Sequence, residues 1–357
     1  MVTLKEIAQL CDVSPTTVSN VINGKAKTSE ETRQKILQVI DETGFKPNIM
    51  AKGLRIKSSR TIAIIAEDLA QFTSPPIIES IMEACEQKDY RVIVHNLRLY
   101  DRWQDTWYNK KGDYNSVISP VINDILSAQI DGVIYVAGHA RVIKTFNDNF
   151  ELPVVMCYAF SESSDIPSVV IDDEKGSYDM VSYLISKGHK RIGFVGGRMD
   201  NLHTVQRLMG YQKAMFENGL LFDPNLVYYG DWSRQSGYDG ASVLIKQNVS
   251  AFFGIADRMT GGIYDYLYEN EIEIGRGISV ASFDNENISE YFKPRLTTTE
   301  LPLREIGKRS AELLLNKLEK KNADGIEESS DESEDSNGID VIKVPCRLVI
   351  RDSVTSL

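Results

Sequence analysis

No stretch of this sequence is apolar for long enough to cross a bilayer, and its opening residues, MVTLKEIAQLC, lack the basic start and long apolar core of a secretory leader. The four cysteines, Cys11, Cys85, Cys157 and Cys346, lie far apart and form no CxxC pair, which argues against a disulfide framework or a cysteine zinc site. The four histidines, His95, His139, His189 and His203, show no metal-ligand spacing. GxSxG, HExxH and phosphate-loop patterns are missing, and GFVGG is not the dinucleotide fingerprint. These absences predict a cytoplasmic protein with reduced, buried thiols, without catalytic residues, metal or cofactor, and without a membrane partner.

Charge is present but unevenly spread. The whole chain carries −11, which alone argues against a polyanionic partner. Residues 1–57, however, hold nine Lys/Arg against six Asp/Glu, or +3, while the remaining 300 residues hold 31 against 45, or −14. A basic head on an acidic body suits phosphate contact by the head alone. At 357 residues, with 42% hydrophobic and 25% charged side chains, the chain has room for two or three soluble domains.

The head reads as three short helices. Leu4, Ile7, Ala8 and Cys11 recur at helical spacing. After the break DVS, Ser14 is an N-cap and Pro15 stands at the first helical position, where its missing N–H costs nothing. That helix, about 15–22, turns Val18, Val21 and Ile22 inward. Thr28 and Glu31 have capping-box spacing for a third helix, about 29–43, with Ile36, Val39 and Ile40 inside and Gly44 as its stop. A tight turn between the first two makes a helix-turn-helix. The basic segment 45–60 reads as a linker in which NIMAKGLR could form two helical turns.

From residue 61 apolar runs of strand length (TIAIIAED, YRVIVHN, DGVIYVAG, LPVVMCY, SVVIDD, RIGFVGG, VYYGD, AFFGIAD, ISVASFDN) recur, most separated by stretches of helical periodicity. Such alternation predicts parallel sheets covered on both faces, and the number of runs predicts two lobes with a ligand cleft beyond the strand ends. Two segments stand apart: 98–115, polar and aromatic with Trp103 and Trp107, and 322–340, with eight acidic residues and no basic one, expected to be a solvated insertion.

VTLKEIAQLCDVSPTTVSNVING and TSEETRQKILQVIDETGFKPNIMAKGLR closely resemble the DNA-binding head and hinge of the LacI/GalR (lactose-repressor/galactose-repressor) family. The resemblance continues through DGVIYVAG, ISKGHKRIGFVGG, RLMGYQKAM, VASFDN, PRLTTTELPLREIGKRSAELLL and VPCRLVIRDS. It implies a sequence-specific transcriptional regulator, usually a repressor and a homodimer, with a two-lobed body like the periplasmic sugar-binding proteins. The expected domains are a head at 1–46, a hinge at 47–60, one lobe at 61–157 plus about 300–321, and a second at 158–299 plus 322–357. A transport-type sugar-binding protein, or an enzyme acting on a sugar in the same cleft, is the competing reading.

The resemblance also implies site residues. The second helix enters the major groove of a near-palindromic operator. Thr16 and Asn20 suit base edges, Pro15 offers apolar contact only, and Thr17 and Ser19 suit phosphates. Leu54 matches the family's minor-groove wedge, flanked by Lys52 and Arg55, and Gly53 disfavours a preformed hinge helix by about 1 kcal/mol relative to alanine. In the body, Arg207, Asp257 and Asp284 match polar positions that meet an effector, and Trp232 an aromatic that packs on it. Phe72, with Thr73 and Ser74, closes the cleft from the other lobe, and Asn201 and His203 precede Arg207. Tyr158 stands where many relatives have an acidic residue. The expected effector is a sugar or sugar derivative.

Overall fold

A computed structural model describes residues 2–22, 28–45, 58–104, 111–147, 149–324 and 341–357. The chain forms two compact units, Met1–Ser59 and Arg60–Leu357.

In the first unit, helices α1 (Leu4–Cys11), α2 (Pro15–Ile22) and α3 (Glu30–Thr43) enclose a small core of Ile7, Ala8, Cys11, Val18, Val21 and Ile36. Thr3 opens α1 with a reciprocal capping box: Glu6 Oε2 accepts the Thr3 N–H at 2.7 Å and Thr3 Oγ1 accepts the Glu6 N–H at 3.3 Å. Asp12, at φ 57°, turns the chain out of α1 in the left-handed region. Ser14 Oγ then accepts the Thr17 N–H at 3.1 Å, so Pro15 begins α2 as its sequence predicts. The cap of α3 is Ser29 rather than Thr28, since Ser29 Oγ accepts the Thr32 N–H at 3.3 Å. Gly44, at φ 59°, closes that helix.

The second unit is built on two parallel sheets. Its first elements are β1 (Thr61–Ala66), α4 (Ser74–Glu86), β2 (Arg91–Asn96), the short α5 (Leu99–Trp103), α6 (Lys111–Ser127) and β3 (Gly132–Val136). There follow β4 (Val142–Ile143), β5 (Val154–Cys157), β6 (Phe160–Ser161) and β7 (Ser168–Ile171). Next come α7 (Asp173–Ser186), β8 (Ile192–Gly196), α8 (Leu202–Glu217), β9 (Val227–Tyr229), α9 (Arg234–Leu244), β10 (Ala251–Gly254), α10 (Asp257–Glu269) and β11 (Ser279–Ala281). The chain ends with β12 (Thr298–Glu300), α11 (Leu303–Asp324), β13 (Val341–Val344) and β14 (Arg347–Val349).

A six-stranded sheet in the order β13-β7-β5-β3-β1-β2 forms one lobe, and a four-stranded sheet in the order β11-β10-β8-β9 forms the other. Every residue of β1 is buried, and alternate residues serve opposite faces: Ile62 and Ile64 join Ile77 and Ile81 of α4, while Ala63 and Ile65 join Ile118 and Ile125 of α6. In the second lobe α9 and α10 touch through glycine. A Cβ on Gly237 would lie 1.8 Å from the Met259 carbonyl oxygen, and one on Gly262 would lie 1.8 Å from that of Arg234. The antiparallel ribbon β12–β14 lies in the segments that run between the two sheets.

The sheets place the lobe boundary elsewhere than expected. Strands β5 and β7 pair in parallel through Met156↔Ser168 and Cys157↔Val169, so residues 158–171 belong to the first lobe rather than the second. Strand β13 pairs with β7, which returns 341–344 to the first lobe as well. The reason is pairing: a strand joins whichever sheet offers a free hydrogen-bonding ladder, and the apolar pattern of these runs does not say which. Helix α11 extends through Asp324, so 322–324 of the expected insertion are helical; residues 325–340 lie outside the described residues. So do Trp107 and the hinge positions Lys52, Leu54 and Arg55. No helix among the described residues is long and apolar enough to cross a membrane.

Candidate functional sites: the α2 face and the interlobe cleft

On the head, the side chains that pack and those that are presented separate cleanly. Val18 and Val21 are buried, whereas Pro15, Thr16 and Asn20 are exposed. Thr17 and Ser19 are half-buried, and Thr17 Oγ1 lies 2.8 Å from Ser14 Oγ. An eight-residue helix with one buried edge therefore leaves Thr16 and Asn20, two groups capable of reading base edges, on its open face.

In the body, a cavity of about 450 Å³ opens between the lobes. Phe72, Ala70, Gln71, Tyr100 and His139 line it from the first lobe; Trp232, Asp231, Ser233, Arg234, Ala256, Arg258, Asp284 and Glu286 line it from the second. Of the residues expected at an effector, Phe72, Trp232 and Asp284 stand on this wall. Trp232 takes φ 71°, unusual for so bulky a residue, and packs directly over Gly197, where a Cβ would fall 2.3 Å from its ring. Its indole Nε1–H is buried and finds no acceptor among the described residues.

The other expected residues lie behind the wall. Arg207 is only 2% exposed. Its Nε donates to Asp173 Oδ1 at 2.7 Å, its Nη1 donates to the Ile255 carbonyl and reaches Asp284 Oδ1 at 3.4 Å, and its guanidinium lies 3.8 Å over the Phe283 ring. It holds Asp284 rather than reaching the cavity. His203 Nε2 accepts the Ala140 N–H of the first lobe at 3.0 Å. Its Nδ1 faces Asp173 Oδ2 at 2.7 Å, so the ring ties the lobes together. Asn201 caps α8 by accepting the His203 N–H at 2.9 Å. The Tyr158 ring lies 5.0 Å from that of His203. Thr73 is buried at the start of α4, its hydroxyl without a partner among the described residues. Asp257 is fully buried, accepting the Glu286 N–H at 2.7 Å and the Thr298 hydroxyl at 2.8 Å.

Electrostatics divide these carboxylates. Burial raises Asp173, but His203 and Arg207 outweigh it and hold the carboxyl below its usual range. Burial pushes Asp257 up to about 7, against hydrogen bonds from Ser282, Thr298 and the Glu286 N–H. Burial also raises Asp284, which Arg207 opposes, and Glu286, which Arg258 opposes. Asp257 has a folded value near 7 against an ordinary value of 3.8. Between those limits the folded protein binds more protons than the unfolded chain, so stability falls as pH rises, by about 1.4 kcal/mol per unit of separation at most. Asp284 and Glu286 act in the same direction. Asp257→Asn is therefore expected to flatten, without abolishing, the decline in melting temperature between pH 4.5 and 7.5. An unchanged slope in a pH series of thermal melts would remove Asp257 from this role.

Several residues of the site carry no signal in the sequence pattern. His139 follows β3 in the run VAGHA; burial, with His203, Arg141 and Arg207 nearby, pushes its imidazole down to about 3, so it is neutral at physiological pH. The buried Glu67 shapes the loop carrying it. One carboxylate oxygen accepts from the Tyr135 hydroxyl at 2.6 Å and from Arg141 at 2.5 Å, and the other accepts the Gly138 N–H at 2.8 Å. Glu286 and Arg258 also stand on the cavity wall. Among the described residues, no group of three His, Cys, Asp or Glu side chains is arranged to hold a metal ion.

Comparison with known proteins gives this geometry its context. Residues 3–48 match the family described as "Bacterial regulatory proteins, lacI family", and residues 181–354 match the "Periplasmic binding protein-like domain". The HTH-type transcriptional regulator RegA of Clostridium saccharobutylicum is 31% identical over 327 residues, covering 90% of this chain and 94% of that protein. Catabolite control protein A of Priestia megaterium is 28% identical over 331 residues, covering 90% and 94%. Among solved structures, the Lac repressor dimer bound to operator and the anti-inducer ONPF superposes with a TM-score of 0.75 at 22% identity over 99% of each chain. The complex of the regulator CelR with cellobiose gives 0.61 at 22% identity, covering 99% of this chain and 100% of that one.

Proposed function

The chain belongs to the LacI family of bacterial regulatory proteins, and from that premise we propose how its own residues read DNA and sense a ligand. Two copies form a homodimer whose heads occupy adjacent major-groove half-sites of a near-palindromic operator. Thr16 and Asn20 meet base edges, Pro15 makes apolar contact, and Thr17 and Ser19 meet phosphates. The observation that carries this assignment is the exposure of Pro15, Thr16 and Asn20 on a helix whose other edge, Val18 and Val21, is buried. Leu54 inserts at the operator centre, with Lys52 and Arg55 on the flanking backbone or minor-groove floor. A sugar or related small molecule binds in the interlobe cleft against Phe72, Trp232 and Asp284, while Arg207, His203, Asp257, Tyr158, Asn201 and Thr73 shape the walls behind it. The cleft binds its ligand without turning it over. Ligand binding favours one arrangement of the lobes, and that preference is what changes operator affinity.

Selection of duplexes from a random pool by the full-length protein tests this reading; the expected product is a near-palindrome with two half-sites. On that duplex Leu54→Ala should weaken binding at least tenfold while changing affinity for scrambled DNA less than twofold. Equal losses on both duplexes, read by fluorescence anisotropy at fixed salt, would remove Leu54 from the operator centre.

A further inference from the structure

One loop of the first lobe, 138–141, carries a hydrogen bond to the second, and a buried carboxylate holds that loop at both ends. Glu67 follows the last residue of β1 and is only 1% exposed. Its Oε2 accepts the Gly138 N–H at the start of the loop. Its Oε1 accepts from Arg141 at the end of the loop and from the Tyr135 hydroxyl. Helix α6 backs this network through Tyr114, whose hydroxyl lies 2.8 Å from that of Tyr135 and whose ring lies 5.4 Å from the Arg141 guanidinium. His139 and Ala140 stand between the two tethers. The Ala140 N–H donates to His203 Nε2 at 3.0 Å, and the His139 ring lies 6.3 Å from that of His203 and 6.4 Å from that of Trp232, both residues of the second lobe. From His203 the contacts run on through Asp173 and Arg207 to Asp284 on the cavity wall.

A carboxylate suits this place because both of its oxygens accept. An amide has one acceptor oxygen and one NH2, so a glutamine at 67 sets a donor against a donor at one end of the loop or the other. A buried network whose donors and acceptors all match has one defined geometry, and unpairing one end frees what that end held. We propose that Glu67 is a positioning residue of the ligand sensor: by fixing loop 138–141 it sets the Ala140–His203 bond, and with it the arrangement in which the two lobes meet. The proposal rests on the reading that lobe arrangement governs operator affinity, and it names a residue behind the cavity on which that arrangement depends. Glu67 is not among the residues that line the cavity, so its substitution alters the joint between the lobes without removing a ligand contact.

The test uses the full-length protein without ligand and reads two quantities: hydrogen exchange resolved to the Ala140 amide, and the dissociation constant for the selected operator duplex. Glu67→Gln is expected to speed exchange at Ala140 at least tenfold while Ile64 of β1 and Ile134 of β3 stay as protected as in the wild type. It should also shift the operator dissociation constant at least threefold. His203→Leu should produce the same two changes, and the double variant should add little to either, as expected of residues that act through one bond. Tyr135→Phe removes a donor from Glu67 but no tether of the loop, and should leave Ala140 exchange within twofold, which a general loosening of the Glu67 pocket would not. Arg141→Met frees the far end of the loop and takes the place of Glu67→Gln if that variant does not fold. An Ala140 amide still protected in the Glu67 or Arg141 variant, or effects of Glu67 and His203 that simply multiply, overturns the inference and leaves the effector site standing. Fast exchange in every variant with unaltered operator affinity instead removes the reading that lobe arrangement governs DNA binding, and with it the part assigned to Glu67 in sensing.

Discussion

Ile36→Asp is expected to abolish operator binding while leaving the body folded. Ile36 is fully buried in a head whose core is six side chains from three short helices. A unit of about 60 residues buries too little surface to hold much reserve, and such cores supply roughly 3–5 kcal/mol. Placing an unpaired carboxylate there costs several kcal/mol, enough to consume that reserve. The loss in operator affinity should be at least about 1,000-fold, the lower end of the usual gap between specific and non-specific binding. The melting transition of Arg60–Leu357, a separate compact unit, should stay within about 1 °C, because distant sites without shared partners act additively. Operator titration and calorimetry on one preparation distinguish this from general misfolding. Retained operator affinity would mean that the three-helix core is not what presents α2.

The second large effect belongs to the body. Asp173→Ala should destabilise Arg60–Leu357 by about 3–5 kcal/mol, the usual cost of removing one partner from a buried ion pair. The aspartate is 2% exposed and receives hydrogen bonds from both His203 and Arg207, so its removal leaves a buried guanidinium with a single distant carboxylate, Asp284 at 3.4 Å. It also frees the imidazole that joins the lobes through the Ala140 N–H. The variant should therefore lose stability and ligand response together. Adding Arg207→Leu should restore part of the stability but not the ligand response, because Asp284 then loses its anchor. The wild type should show the same dependence with acid. A carboxyl held below its ordinary value of 3.8 contributes stability above that pH and loses it as pH falls through the folded value. Urea midpoints within 0.2 M of the wild type for Asp173→Ala would contradict the role assigned to this cluster.

How far the sequence reaches can be seen residue by residue. Ser14 and Pro15 announce the start of α2 because capping and proline geometry are local, settled within four residues. The nine apolar runs between TIAIIAED and ISVASFDN all become strands of the two parallel sheets; burial on both faces leaves that pattern in the inner strands, and of the nine only the edge strands β2 and β9 are partly exposed. The partner itself is non-local. Nothing in SVVIDD says that β7 pairs with β5 and β13, so the expected lobe boundary fell inside one sheet. The site divides in the same way. Family resemblance led to Phe72, Trp232 and Asp284, which line the cleft, and to Arg207 and His203, which do not. A residue type at a position does not reveal who occupies its hydrogen bonds, and for Arg207 the answer lies 34 residues away in Asp173. Glu67, His139 and Glu286 were missed because their roles depend on loops brought together only by folding.

A ligand in the cleft is expected to set the affinity of the head for DNA. The most direct measurement is the dissociation constant of the full-length protein for its selected operator, titrated with the compound that stabilises the body. Wild-type protein should show a shift of at least about fivefold, the low end of ordinary allosteric coupling, and Asp284→Asn should lose it while binding bare operator normally. An operator affinity that stays constant while calorimetry shows the cleft saturated would contradict the account.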